Sequence, residues 1–301
     1  MNLVILSKRS RAYTTERLAR TARERGHVCR VLDPEGLTLC LIDEKPRIYL
    51  KSRRLLKVDC ALPRLGSTQI SDFSLSIVSS LETLHVTCLN PYDTIVRGRD
   101  KFRCLTQLAT RGVPIPRTLL ARRPEEVQAK VELIGGPPVI LKLIAGSHGV
   151  GMIFAENMNS IVSIIESFWE VGRNILIQEL VPESRDQDIR TFLVGGKVVA
   201  AMRRYAPVGE FREALDRATP LSLAAGSEVR LLAERSAQIL GLDVATVDLI
   251  ETKKGHLVTD FSWSPTFEVI ERVTEVDLAE QVIRHAEDLV ERRPRGLAKA
   301  S

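Results

Sequence analysis

The sequence lacks any apolar run approaching the roughly 20 residues that span a bilayer. Its opening, MNLVILSKRS, holds too short an apolar segment for a secretory signal. Both absences point to a cytoplasmic protein with no membrane partner. It also lacks a C-x-x-C pair. Cys29, Cys40, Cys60, Cys88 and Cys104 are scattered and odd in number. That argues against a disulfide framework or a thiolate metal site and for small buried thiols. There are no repeats and no low-complexity segments, so repeat arrays and biased linkers are excluded.

What remains is an ordinary globular composition, 44% hydrophobic and 27% charged over 301 residues. That length fits about two domains or one large one. The net charge of +5 is uneven: residues 1–60 carry +7 and the remainder −2. Such a field draws an anionic partner, unless it is a solvated helix face. ERLARTARERG alone supplies four of those arginines.

The pattern along the chain predicts strands at 3–6 and 28–32 around a helix from Thr14–Thr15 to Arg25, with Gly26 at its end. This is a right-handed βαβ opening. A hairpin is expected within 37–57, strands at 60–62 and 85–89, and a helix at 72–84 between them. Helices follow at 99–111, 124–134, 158–170, 227–240 and 276–291. Strands are expected at VILKLI, MIFAE and NILIQEL, in a hairpin turning at Gly195-Gly196, and at 244–251 and 257–261.

GSHGVG, residues 146–151, can turn tightly and bring backbone N–H groups to a phosphate. It is not a P-loop, because Met152 follows where G-K-[ST] would open a helix. Nor is it a dinucleotide fingerprint, because it lies between two strands. Alone it is best read as a plain glycine hairpin. Its neighbours change the weighting. Lys142 shares the entering strand with Leu141 and Leu143, which face the other way. A lysine there is a point charge for phosphate. Glu179, ending IQEL, can take a ribose hydroxyl beside backbone groups that read an adenine edge. Asp248 and Asp260 lie near the ends of neighbouring strands, a pairing that holds Mg²⁺ with substrate phosphates completing the shell; two solvated strand-end acids are the alternative.

Taken in order, R-D-K, V-I-L-K-L, G-S-H-G-V-G, I-Q-E, D-I-R, V-D-L and D-F-S-W-S-P resemble an ATP-grasp ligase, and more narrowly the RimK type. ILSKRS, RLARTARERGHVCRVLDP and ALPRLGS resemble that family's pre-ATP-grasp domain. The similarity covers about residues 1–291. It implies an α/β (α+β) architecture: a Rossmann-like N-terminal domain at 1–95, a central lid subdomain at 96–178, and a metal and nucleotide subdomain at 179–292. A basic tail, 293–301, follows.

The resemblance further implies that ATP activates a carboxylate as an acyl phosphate, which an amine converts to an amide. ATP and Mg²⁺ or Mn²⁺ are the implied cofactors. A glutamate-like amino acid and an acidic peptide or ribosomal-protein tail are the implied partners, in a homotetramer. By matched position, Lys101 and Lys142 contact phosphate or purine. Gly146, Ser147, His148, Gly149, Val150 and Gly151 form the lid. Glu179 and Leu180 bind adenine and ribose, and Asp188 and Phe211 help hold the nucleotide. Arg190, Arg204 and Arg212 steady phosphate or the acidic substrate, and Asp248, Asp260 and Ser262 hold metal. The basic N-terminal region receives the acidic acceptor. These residues favour nucleotide chemistry over RNA binding, so no direct nucleic-acid contact is expected.

Four positions depart from the family pattern. An asparagine position is Ala214, and the Gly-Gly after it is gone. In the last metal strand a glutamate is Asp260, an asparagine is Ser262 and a glycine is Thr266. The shorter Asp260 bridges metals less easily, Ser262 reaches through water, and Thr266 restricts a turn. The alternative to an active ligase is therefore a nucleotide-binding regulator with impaired turnover.

Overall fold

The computed structural model describes residues 1–55, 57–66, 70–121, 123–143, 152–170, 174–182, 187–205, 214–224 and 226–292. The chain opens with β1 (Asn2–Leu6), α1 (Tyr13–Glu24) and β2 (Val28–Leu32), with β1 and β2 parallel as the sequence predicts. Where a hairpin was expected there are three antiparallel strands, β3 (Leu37–Ile42), β4 (Lys45–Leu50) and β5 (Arg53–Arg54). Then β6 (Cys60–Pro63), α2 (Asp72–Thr83) and β7 (Thr87–Cys88) complete a parallel sheet in the order β2-β1-β6-β7. All four residues of β6 are buried, as a central parallel strand requires. The strand expected over 85–89 shrinks to two residues. His85 adopts a left-handed backbone (φ 62°), which breaks the extended run.

The helix expected over 99–111 is α4 (Lys101–Thr110), and a short helix absent from the sequence reading, α3 (Tyr92–Gly98), precedes it. The break between the two falls at Asp100, whose carboxylate caps α4 by accepting from Arg103 N at 2.9 Å. Just before α3 stands Asn90, only 1% exposed. Its amide donates to Val244 O (2.7 Å) and Trp263 O (2.6 Å) and accepts from Asp243 N (2.6 Å) and Val244 N (3.1 Å). One side chain thus ties the first sheet's end to backbone more than 150 residues away. Gly98 lies directly against Trp263: a Cβ there would sit 2.6 Å from the indole Cδ1. Gly98→Ala is expected to cost about 1–3 kcal/mol through overpacking, read as a lower urea midpoint at unchanged slope.

Next come β8 (Thr118–Ala121), α5 (Pro124–Lys130), β9 (Val139–Leu143), β10 (Met152–Ala155), α6 (Met158–Glu170) and β11 (Ile175–Glu179). The strands form an antiparallel sheet, order β10-β9-β11-β8. Val127 of α5 and Ile161 and Ile165 of α6 pack on its Val139, Leu141 and Ile177.

The last part is β12 (Gln187–Val194), β13 (Lys197–Tyr205), β14 (Ala214–Pro220), α7 (Glu228–Leu240), β15 (Val244–Thr252), β16 (Gly255–Ser262), α8 (Glu268–Thr274) and α9 (Leu278–Glu291). Its strands form a five-stranded sheet, β14-β13-β12-β15-β16. Alternation along β12 sorts its side chains. Ile189 and Leu193 join the core under α7, with Ala233 and Ala237. Asp188, Arg190 and Phe192 take the opposite face, where Phe192 packs with residues of α1 and α9.

That docking explains much of the N-terminal charge. Arg17 pairs with Glu271 (3.5 Å) and Asp277 (2.9 Å). Arg25 pairs with Glu280 and Glu287, both at 2.6 Å. The solvated-face reading of α1 is therefore incomplete, because Arg17 of α1 and Arg25 just after it join the two ends of the fold. Lys51, Arg53, Arg54 and Lys57 stay exposed. None of the five cysteines is in a disulfide among the described residues, and four are buried. Among the described residues no helix is long and apolar enough to cross a membrane.

Candidate functional site

The site is organised by the β15–β16 hairpin. Asp248 and Asp260 are direct cross-strand partners, and Thr246 faces Ser262. Partners in an antiparallel pair share a face, so the two carboxylates stand side by side. The register slips between Asp248 and Leu249, leaving Thr259 as an extra, unmatched residue. Its hydroxyl donates to Asp248 O at 3.2 Å. Its carbonyl accepts from Lys142 Nζ at 3.1 Å.

Lys101 arrives from the first turn of α4. Its ammonium donates to an Asp260 carboxylate oxygen and, at 2.5 Å, to Phe261 O. It also lies 4.2 Å from the centre of the Phe261 ring, within cation–π range. Two lysines 41 positions apart in sequence thus converge on residues 259–261 of one strand. The Asp100 cap starts α4 at Lys101 and so fixes this approach.

Beside the hairpin runs a row of ion pairs. Arg190 faces Asp248 across β12 and β15, and its fork grips both carboxylate oxygens at 2.7 and 2.6 Å. Arg204, only 1% exposed, faces Asp188 across β12 and β13 and holds it with two nitrogens. The same guanidinium reaches Asp248 Oδ2 at 3.2 Å. Burial acts to raise the Asp248 pKa. The charges of Arg190 and Arg204, Arg190's hydrogen bonds and the charge of Lys101 outweigh it, leaving the carboxyl well below the ordinary value. Asp248 is therefore an anion at neutral pH although it is buried.

The structure thus brings together Lys101, Lys142, Asp188, Arg190, Arg204, Asp248 and Asp260. Glu179 engages elsewhere: its carboxylate accepts from Arg117 N at 2.7 Å, and its own N–H donates to Arg117 O at 3.0 Å. Glu179's own N–H is thus taken by the chain entering β8. Leu180 follows, half-buried. Ser262 Oγ accepts from Ser264 N at 3.4 Å and so lies in a local turn. Thr266 has no left-handed backbone, so the strain expected at the missing glycine does not arise. Gly146, Ser147, His148, Gly149, Val150, Gly151, Phe211 and Arg212 lie outside the described residues. At Ala214 the backbone begins β14, a strand absent from the sequence reading.

Sequence reasoning missed Phe261 and Thr259. Alternation turns Phe261 away from the Asp260 face, and the bulge that frees Thr259 leaves no mark in local composition. It also missed Arg117, whose only signal was its place in the GVPIPRT connector.

A divalent cation can be tested against these groups. Among the described residues no three of His, Cys, Asp and Glu cluster as ligands. Mg²⁺, however, is commonly held by one or two carboxylates with water and phosphate oxygens. Asp248 has three of its roughly four acceptor positions taken by arginine, which leaves one. Asp260 is 41% exposed and already holds a cation, the Lys101 ammonium. The pair fits one hydrated divalent ion.

Residues 1–95 match the RimK PreATP-grasp domain, and residues 98–286 match the RimK-like ATP-grasp domain. The chain is 38% identical over 288 residues to a probable alpha-L-glutamate ligase of Nitrosococcus oceani, covering 95% of each. It is 36% identical to the protein of that description in Coxiella burnetii, again over 95% of each. Among solved structures, the ATP-grasp ligase PsnB complexed with a phosphomimetic variant of minimal precursor, Mg and ADP superposes with TM-score 0.75 at 18% identity, covering 96% of this chain and 98% of that one. A RimK domain ATP-grasp protein from Sphaerobacter thermophilus gives 0.72 at 20% identity, covering 95% and 99%. Matched by both family models and along nearly its whole length by curated relatives, the chain belongs to the RimK-like ATP-grasp ligase family.

Proposed function

We propose that the protein is an ATP-dependent carboxylate–amine ligase that adds glutamate, or an amino acid like it, to the carboxyl terminus of an acidic peptide or protein. The observation that carries this reading is the convergence of Lys101 and Lys142 on the strand that bears Asp260, opposite Asp248. Two cations and two carboxylates at one place suit a phosphoryl transfer, where catalysis is mostly positioning and charge neutralisation. The relatives named as glutamate ligases support the choice of amino acid. A bound Mg²⁺ would neutralise phosphate charge between Asp248 and Asp260. Lys101 and Lys142 would orient the triphosphate, with Lys101 leaving Asp260 as the nucleotide arrives. Arg190 and Arg204 keep Asp248 ionised and fix its orientation. Glu179 and Leu180 would line the purine and ribose side. The exposed Lys51, Arg53, Arg54 and Lys57 supply charge for an acidic acceptor. Domain limits at residues 95, 178 and 292 and assembly as a homotetramer belong to the same proposal. Its test is ADP release from ATP, Mg²⁺ or Mn²⁺, glutamate and an acidic peptide; no release above background across amino acids would count against it.

A second reading, a nucleotide-binding regulator, is favoured by one observation: Ser262 hydrogen-bonds within its own turn and adds little to a metal shell. If the altered side chains limit turnover, Asp260→Glu with Ser262→Asn is expected to raise kcat by about tenfold or more, roughly 1.4 kcal/mol of barrier. An unchanged kcat would show that the present shell suffices.

A further inference from the structure

ALPRLGS places an arginine directly after β6, and the site described above makes no use of it. Arg64 leaves the carboxyl end of a central parallel strand, where its N–H donates to Leu6 O at 2.8 Å. Ligands of open α/β sheets bind beyond such strand ends. Arg64 retains some exposure, but its Nε is fully buried and has no hydrogen-bond partner. Burial pulls its pKa down, to about 10, which still leaves it charged at neutral pH. Among the described residues no carboxylate pairs with it. Trp263 also lines the pocket, with its own Nε1 fully buried. Phe192, Val244, Pro265 and Phe267 contribute apolar wall. Arginine and indole nitrogens only donate. The pocket therefore holds a partly exposed guanidinium that no carboxylate of the described residues pairs with, and apolar walls.

The pocket also has a defined relation to the ion-pair row. Phe192 is two residues beyond Arg190 on the same face of β12, and Trp263 follows Asp260 by three residues. Two strand residues span about 7 Å, close to the length of one amino-acid side chain.

We propose that this pocket seats a carboxylate of an amino-acid substrate, one that is carried through the reaction without entering the new amide. The inference rests on the ligase reading and deepens it. A carboxylate meets the part of the Arg64 guanidinium that stays exposed and cancels its charge. A triphosphate does not suit a cavity of about 20 Å³. The carboxylate can belong to the incoming amino acid or to the acceptor's terminal residue, and kinetics distinguish the two.

Arg64→Met and Arg64→Lys supply the test. Arg64→Met is expected to raise KM for one of the two substrates on the order of 10- to 100-fold, the range for a lost charge-assisted hydrogen bond. KM for ATP should stay within twofold, and Arg64→Lys should recover part of the loss. A rise confined to the amino acid assigns the carboxylate to it; a rise confined to the peptide assigns it to the acceptor. A structural arginine would lower the melting temperature when replaced. Arg64→Met should instead leave the ligand-free melting temperature unchanged or higher, because an unpaired buried charge is removed. Melting of nucleotide-loaded protein with glutamate, aspartate, glutamine or acidic peptide reads binding without turnover. If none of these shifts the wild type, or if Arg64→Met shifts as wild type does, the pocket assignment is overturned while nucleotide binding still stands. If no nucleotide shifts melting, the ligase reading fails, and the pocket is judged by amino-acid and peptide binding alone.

Discussion

Asp248→Asn is expected to lower ADP release about 10²–10³-fold or more, with little change in shape or bulk. The reason lies in what surrounds the carboxylate. Arg190 donates to both oxygens and Arg204 to one. An asparagine turns one of those oxygens into an NH₂, so donor faces donor. The site also loses one of its two carboxylates, and Asp260 alone is left to offset any metal charge. Losing one preorganised electrostatic partner in a catalytic site costs on the order of 10²–10³-fold in kcat. A variant that keeps more than a tenth of wild-type activity would place Asp248 outside the reacting centre. Nucleotide-induced stabilisation measured alongside separates loss of chemistry from loss of binding.

Arg204→Met is expected to give the largest loss of stability, about 3–5 kcal/mol. Arg204 is 1% exposed and touches two buried carboxylates. Among the described residues Asp188 draws its side-chain hydrogen bonds from Arg204 alone. Removing the guanidinium strands Asp188 as an unpaired anion, and breaking one side of a buried pair carries a cost in that range. For a chain this size the melting temperature should fall by roughly 10 °C. Lys101→Met is the internal comparison. Its partner Asp260 is 41% exposed, so solvent screening keeps that pair to about 1 kcal/mol or less. Equal losses in the two variants would contradict the burial argument.

The parts legible in the sequence are those fixed by local pattern. Apolar runs marked β1, β6 and β9, and Gly195-Gly196 marked the β12–β13 turn, because side-chain period and turn chemistry act over a few residues. The approach of Asp248 to Asp260 was also visible, since one hairpin carries both. Long-range partners were not visible. Nothing near Arg204 announces that Asp188 will face it, because cross-strand register is set by the whole sheet. Nothing near Arg17 or Arg25 shows that acids some 250 residues later will take their charge. Asp100 and His85 changed element limits through a cap and a left-handed backbone, which single residues decide. Arg64 read as part of a family motif, and only the fold lines a pocket with it.

The most direct measurement is ADP release by the purified wild-type protein with ATP, Mg²⁺, glutamate and an acidic acceptor peptide, with the peptide's mass followed in parallel. The ligase account predicts ADP release that requires both amino acid and acceptor, matched by a stepwise mass gain of the peptide by one residue. ADP release without any mass gain across amino acids, or nucleotide binding with no release at all, would contradict it.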